Sequence, residues 1–258
     1  MNKAIIKPKI VHETSYRGCG LSALLHKRRL RQIINILHKI IYERKIKSWA
    51  DFGCSNGFII AEYLATHVSN TPSHIIGYDR SNKLLKLAKA RSLKNTQFLP
   101  FDLNADLNLD PKAETKSKSV EKFELVTCFE TLEHVGNLSN ALQNILAHVK
   151  PSGTLIISVP VEIGLPGLLK FLARYALRRN PYGDFFKNQS PRLYFKNLLL
   201  NRSITIFRSK DSPGFGPHLG FDYRDVLNFI GQEKDNFRLE SCTPIALGMG
   251  YILVLKRL

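Results

Sequence analysis

The chain has 258 residues, 44% hydrophobic and 23% charged, with 38 Lys/Arg against 21 Asp/Glu and a formal net charge of +17. That balance fits a soluble globular protein large enough to bury a sizeable core, and no apolar run reaches the roughly 20 residues needed to span a bilayer. The basic N-terminus lacks the apolar stretch of a secretory signal. Cys19, Cys54, Cys128 and Cys242 form no CxxC pair, so neither a zinc site nor a redox motif is expected and the expected setting is the cytoplasm.

The charge is uneven. Residues 1–44 carry 10 basic against 2 acidic side chains and residues 161–220 carry 10 against 3, whereas residues 45–160 are near neutral with 13 against 11. Two basic segments around a balanced middle suggest an anionic partner, or a solvated basic surface.

The first predicted element is a helix from Ser22, its expected N-cap, to about Arg44, with Leu30, Ile33, Ile34, Leu37 and Ile41 on one face and a basic cluster at Lys27, Arg28, Arg29 and Arg31. Strands and helices then alternate. Strands are predicted at Ile46–Phe52, His74–Tyr78, Thr96–Pro100, Phe123–Cys128 and Thr154–Val159, and helices at Gly57–His67, Ser81–Ser92 with Ser81 as cap, and Leu138–Val149. Lys150-Pro151-Ser152-Gly153 reads as a turn. After Val159 the alternation stops, and residues 160–220 read as an inserted lid. A helix capped by Asp222 and two closing strands, Phe237–Cys242 and Tyr251–Leu255, follow. The expected fold is α/β: a Rossmann-like, seven-stranded, mostly parallel sheet with helices on both faces and a basic lid after the fifth strand. The expected organisation is an N-terminal helical cap over 1–44 and one domain over 45–258.

The chemistry-bearing motifs sit where such a sheet binds ligands, at the C-terminal ends of strands. Asp51-Phe52-Gly53-Cys54-Ser55-Asn56-Gly57 is a glycine turn between strand and helix, permitting close backbone approach to a nucleotide-like ligand. It is neither GxGxxG nor a phosphate-cradling loop with Gly-Lys-Ser/Thr. Asp79 ends the second strand, where a carboxylate can accept from two ribose hydroxyls. Asp102, followed by Leu103, comes after the third strand, where it can accept from an amino group.

In order and spacing these motifs resemble the class I S-adenosylmethionine-dependent methyltransferases, in particular the branch with ubiquinone-biosynthesis O-methyltransferases. The resemblance covers about residues 45–160, with an echo at 218–230. It implies S-adenosylmethionine as cofactor. The Asp51, Gly53, Ser55 and Gly57 turn would cradle its methionine part, Asp79 its ribose, and Asp102 with the Leu103 backbone its adenine. Phe129 and Glu130 would line the pocket. Ser55 stands where a glycine is common and Glu124 where an aspartate is common.

Glu130-Thr131-Leu132-Glu133-His134 has three readings. On a helix its two acids and histidine would share a face and suit a divalent metal. His134 is otherwise a general base, or it holds the loop; no metal is assigned. His218, before the helix capped by Asp222, is either a second catalytic candidate or a turn histidine. The stretch 165–179 places Lys170, Arg174 and Arg178 on one helical face and Leu168, Leu169, Leu172, Tyr175 and Ala176 on another, as a lid helix or as a helix lying on an anionic membrane.

The expected activity is methyl transfer to O, N or C of a small-molecule or lipid-like acceptor. Two alternatives stand beside it. One is an RNA methyltransferase using the basic, aromatic segment with Phe171, Tyr175, Tyr182, Phe185, Phe186, Tyr194 and Phe195, although no RNA-binding module is recognisable. The other is a non-catalytic S-adenosylmethionine-binding protein. The oligomeric state is not legible.

Overall fold

A computed structural model describes residues 21–67, 70–105, 120–177, 190–208 and 218–258. The expected cap helix is α1, Leu21–Glu43. Leu21 and Ser22 are already helical; residues 1–20 of the expected cap, and the side chain of the expected N-cap Ser22, lie outside the described residues. The alternation then runs β1 (Ser48–Phe52), α2 (Phe58–Thr66), β2 (His74–Asp79), α3 (Asn82–Lys89), β3 (Thr96–Pro100), β4 (Phe123–Phe129), α4 (Leu138–Ala147) and β5 (Val149–Pro160). Next come α5 (Gly164–Leu177), α6 (Pro191–Leu199), α7 (Tyr223–Gln232), β6 (Phe237–Ile245) and β7 (Gly250–Arg257). Ser81 caps α3 by accepting from Leu84 N–H, and Asp222 caps α7 by accepting from Arg224 N–H.

The seven strands form one sheet in the order β3-β2-β1-β4-β5-β7-β6. All neighbours are parallel except the pairs made by β7, which is antiparallel to both β5 and β6. Side chains of a strand alternate between faces, and the buried residues divide accordingly. Trp49, Ile75, Leu125, Ile156 and Ile252 meet Ile33, Leu37 and Ile41 of α1, with Phe58, Ile60 and Tyr63 of α2. Ala50, Phe52, Ile76, Val126, Leu155 and Leu253 meet Leu142, Ile145 and Leu146 of α4 and Val226 and Ile230 of α7. The Trp49 indole N–H donates to Thr127 Oγ1 at 2.8 Å, so the largest core residue leaves no orphan donor.

Two expectations change. Lys150–Gly153 is not a turn ending a helix but an irregularity inside β5: pairing steps from Phe123 opposite Val149 to Leu125 opposite Thr154, with Ser152 at φ 55°. Segment 160–220 is also more regular than expected. Its described residues form α5, α6 and a short 3-10 turn at Thr205–Phe207, with a small core of Val161, Ile163, Phe171, Tyr194, Leu198, Ile204, Phe207 and Leu219.

The polarity of α5 is the reverse of the expected one. Lys170 and Arg174 turn inward onto the buried carboxylate of Glu162, while Leu165, Leu169 and Leu172 are 68%, 52% and 47% exposed. Phe171 and Tyr194, two of the aromatics suggested for stacking on RNA bases, are core residues. Arg178, Tyr182, Phe185 and Phe186 lie outside the described residues, as does the side chain of Tyr175. No helix among the described residues is long and apolar enough to cross a membrane.

Candidate active site

The strand order reverses between β1 and β4: β2 and β3 continue to one side of β1 and β4 starts the other. Crossovers there leave a crevice at the strand C-termini. A cleft of about 740 Å³, counting its open mouth, lies at that place. Its walls are Phe52, Gly53 and Ser55 after β1; Tyr78, Asp79 and Arg80 after β2; Phe101 to Asn104 after β3; and Glu130, Thr131, His134 and Val135 after β4.

The turn after β1 is held tightly. Gly53 has φ +75°, and a Cβ there would lie 2.1 Å from Thr131 Oγ1, so only glycine fits. Gly57 has φ +71° and begins α2. Ser55 is also left-handed, at φ 53°, which explains why glycine is common at that position. Ser55 N–H donates to Asp79 Oδ2 at 2.9 Å, and Ser81 N–H donates to Asp79 Oδ1 at 2.8 Å. One carboxylate thus ties the glycine turn to the start of α3. Each oxygen has a further lone pair, so Asp79 can also accept from ligand hydroxyls.

Asp102 Oδ1 accepts from both the backbone and the side-chain amide of Asn104, each at 2.9 Å. Asn104 Oδ1 in turn accepts from Gly136 N–H at 2.7 Å. Phe101 and Leu103 supply apolar walls beside this acid. The donor-hungry acids, the apolar walls and the filled glycine turn fit a nucleoside carrying an amino-acid tail.

Asp51 differs from the other expected cofactor residues. It is 2% exposed and lies behind the turn, lining a narrow space with Cys54, Asn56, Phe58 and Phe129 and not the main cleft. Its Oδ1 accepts from the Thr127 hydroxyl at 2.6 Å. Burial pushes its pKa up to about 7, opposed by the Thr127 bond and reinforced by the charge of Asp79.

The Glu130–His134 stretch is not one helix. Glu130 has φ +48°, and only Leu132–His134 forms a 3-10 turn. The two acids therefore do not share a helical face, although the charge of Glu130 still bears on Glu133; the described side chains grouped closely enough to hold a metal ion are Glu133, His134 and His218. Glu130 pairs with Arg29 of α1, and its Oε1 accepts from Ser158 Oγ at 3.0 Å. Glu133 is 1% exposed and neither carboxyl oxygen has a hydrogen-bond partner among the described residues. Burial, and then the charge of Glu130, raise its pKa well above the ordinary range.

The two expected catalytic histidines, far apart in sequence, meet. The rings of His134 and His218 are edge to face with centroids 4.7 Å apart. Polar atoms of Glu133, His134 and His218 all lie within 4.8 Å of one another. His218 has φ 58° and is followed by buried Leu219 and Phe221. Arg208 clamps the turn carrying His134: its Nη2 donates to Leu132 O at 2.8 Å and Val135 O at 2.5 Å.

Sequence reasoning missed Arg29, Asn104, Arg208 and Ser158. Arg29 stood in a run of basic residues that gave no sign of which one turns inward. The others belong to no motif and act through distant partners.

The profile of the methyltransferase-domain family matches residues 24–198. The chain belongs to this family. Two ubiquinone biosynthesis O-methyltransferases are similar to it. That of Haemophilus ducreyi is 31% identical over 139 residues, 50% of this chain and 55% of the relative. That of Coxiella burnetii strain Dugway 5J108-111 is 31% identical over 114 residues, 44% of each. The matched part of the methyltransferase thus spans about half the length of these curated relatives.

Solved structures agree on the fold. The methyltransferase domain of bacterial CtHen1-C superposes with TM-score 0.52 at 16% identity, covering 90% of this chain and 98% of that one. The N-methyltransferase NodS from Bradyrhizobium japonicum WM9, in complex with S-adenosyl-l-homocysteine, gives TM-score 0.52 at 9% identity, covering 95% and 97%. The fold is the class I methyltransferase fold, and S-adenosylmethionine is the cofactor.

Proposed function

We propose that this methyltransferase transfers the methyl group of S-adenosylmethionine to an oxygen or nitrogen of a small-molecule or lipid-like acceptor. The observation that carries this reading is the meeting of His134 and His218 beside a cleft walled by Gly53, Asp79 and Asp102. When bound, the cofactor supplies an electrophilic sulfonium methyl group, which needs alignment more than activation. Asp79 accepts from its ribose, the Asp102 carboxylate and the Leu103 backbone meet its adenine, and Gly53, Ser55 and Gly57 cradle its methionine part with Asp51 behind them. Glu130 holds Arg29 against the wall. A histidine takes the proton that an acceptor hydroxyl or amine must lose.

The likeness to ubiquinone biosynthesis O-methyltransferases supports a small acceptor with a hydroxyl group. A lipid-like acceptor is also favoured by α5, whose exposed Leu165, Leu169 and Leu172 suit contact with a membrane surface. In this reading residues 160–220 act as a lid through which an apolar substrate arrives.

The test uses S-adenosylmethionine labelled in its methyl group, incubated with the protein and an extract of its own cells, then partitioned between organic solvent and water. Label in the organic phase supports the lipid-like acceptor. Label in RNA overturns the small-molecule reading. Binding of S-adenosylhomocysteine with no labelled product of any kind supports a cofactor-binding protein without catalysis.

A further inference from the structure

Glu162 lies two residues beyond β5 and is 3% exposed, yet it does not line the cofactor cleft. An isolated carboxylate there would be costly. Three cationic or protonatable groups converge on it. Lys170 Nζ lies 3.1 Å from Oε1, Arg174 Nη1 lies 2.9 Å from Oε2 and Nη2 3.2 Å from Oε1, and His218 Nδ1 lies 3.3 Å from Oε1. Burial alone would raise its pKa, but the His218, Lys170 and Arg174 contacts more than offset this and hold it well below the usual carboxylate range.

The surroundings fix Glu162 rigidly. Lys170 Nζ also donates to Val161 O at 2.8 Å and Met249 O at 3.1 Å, which uses all three of its protons. α5 crosses so close that a Cβ on Gly167 would lie 2.3 Å from Glu162 O. A carboxylate anchored this way stands 3.3 Å from His218 Nδ1; the ring is not aligned to donate to it in this structure, but the buried Nδ1 has no other hydrogen-bond partner among the described residues, so Glu162 is the acceptor within reach. His218 in turn meets His134, which lines the cleft.

We propose that Glu162 is the positioning residue of the catalytic base: it fixes His218 with the proton on Nδ1, leaving the Nε2 lone pair to accept the proton of the methyl acceptor. As the acceptor O–H bond breaks, its proton passes to Nε2. The oxygen keeps that bonding pair, shares a pair with the incoming methyl carbon, and the methyl–sulfur pair stays on sulfur. The ring becomes cationic, and ionised Glu162 offsets that charge, the logic of a carboxylate behind a catalytic histidine. The charged and titratable groups around the pair are Lys170 and Arg174 on α5, Glu133 and His134 on the turn after β4, and Arg208. This inference rests on the proposed function, because it supplies that reaction with its base.

The test has an arm that needs no acceptor. In the full chain labelled with ¹⁵N-histidine, two-bond proton–nitrogen correlation reads the tautomer of neutral His218. The proposal expects the Nδ1–H form in the wild type and its loss in Glu162→Gln. An Nε2–H form in the wild type, or an unchanged tautomer in Glu162→Gln, overturns it. The second arm uses the labelled fraction of the cell extract. Glu162→Gln and His218→Gln should each lower kcat by about a hundredfold or more, with KM and S-adenosylhomocysteine affinity within about twofold. The acid limb of the pH–rate profile should move in Glu162→Gln. The double variant should be no slower than His218→Gln alone, since the two residues act as a unit. Additive losses overturn the coupling. Should Glu162→Gln fail to fold, His218→Gln, which keeps Glu162 with Lys170 and Arg174, still decides whether the ring carries turnover. An intact Nδ1–H tautomer with no labelled product overturns the proposed function and not the alignment.

Discussion

Arg29 of α1 forms an ion pair with Glu130, the residue after β4, and its other guanidinium nitrogen lies 2.6 Å from His26 Nδ1. The pair is largely buried, with side chains 14% and 7% exposed. Removing one partner of such a pair leaves the other charge without compensation, a cost of about 3–5 kcal/mol. Arg29→Met should therefore destabilise the protein by about 3 kcal/mol, read as a lower urea midpoint. Replacing Glu130 by Gln together with Arg29→Met should recover much of the loss, because no buried charge is then stranded.

Asp51 has a pKa of about 7 in the folded chain against 3.8 when unperturbed. A carboxyl with a raised pKa binds its proton more tightly folded than unfolded. Its contribution is therefore absent as a penalty below about pH 4 and grows as pH rises through 7. Integrated over that window the cost reaches about 4 kcal/mol at most. Asp51→Asn mimics the neutral form. Its melting temperature relative to wild type should climb between about pH 4 and pH 7 and level off above that, and a flat difference across this range would contradict a buried, raised Asp51.

Asp79 already accepts from Ser55 and Ser81 N–H, so its two roles can be separated by chemistry. Asp79→Asn replaces one acceptor oxygen with a donor facing a backbone N–H. Hydrogen bonds to a charged group are worth about 1.5–3 kcal/mol. S-adenosylhomocysteine should bind roughly ten- to a hundredfold more weakly by calorimetry. The same variant should lose some stability, since the glycine turn is no longer tied to α3.

Gly53→Ala offers a second measurement on the same ligand. Its Cβ would overlap Thr131 Oγ1, and φ +75° disfavours any side chain. The conformational term alone is about 1–2 kcal/mol. S-adenosylhomocysteine binding should fall below detection at micromolar protein. Adding Thr131→Ala should restore part of it by removing the colliding atoms.

Much of the sheet was legible because its strands carry short runs of Ile, Val, Phe and Leu, with Gly53 following β1 and Asp79 ending β2. Thr96–Pro100 matches to the residue, and Ser81 and Asp222 cap the expected helices. Residues acting near their own strand end were legible too: Gly53, Asp79 and Asp102 line the cleft. What failed were inferences that depend on which way a side chain turns in three dimensions. Lys170 and Arg174 had the spacing of a solvent-facing stripe, but buried Glu162 draws them inward. Glu130 to His134 had the spacing of one helical face, but a left-handed Glu130 leaves only Leu132–His134 as a 3-10 turn. Lys150–Gly153 contained turn residues that β5 absorbs as an irregularity. The meeting of His134 with His218 left no local signal in either segment.

The placement of β7 sets the order in which the molecule can be completed. Among the described residues β6 pairs only with β7, and β7 lies between it and β5. Until Gly250–Arg257 inserts, β6 cannot join the sheet and β5 presents a long unpaired edge. A nascent chain must therefore be shielded until β7 has emerged, since exposed hydrophobic edges invite pairing with other chains. Protein interrupted within β7 should collect in aggregates and not as a smaller soluble fold.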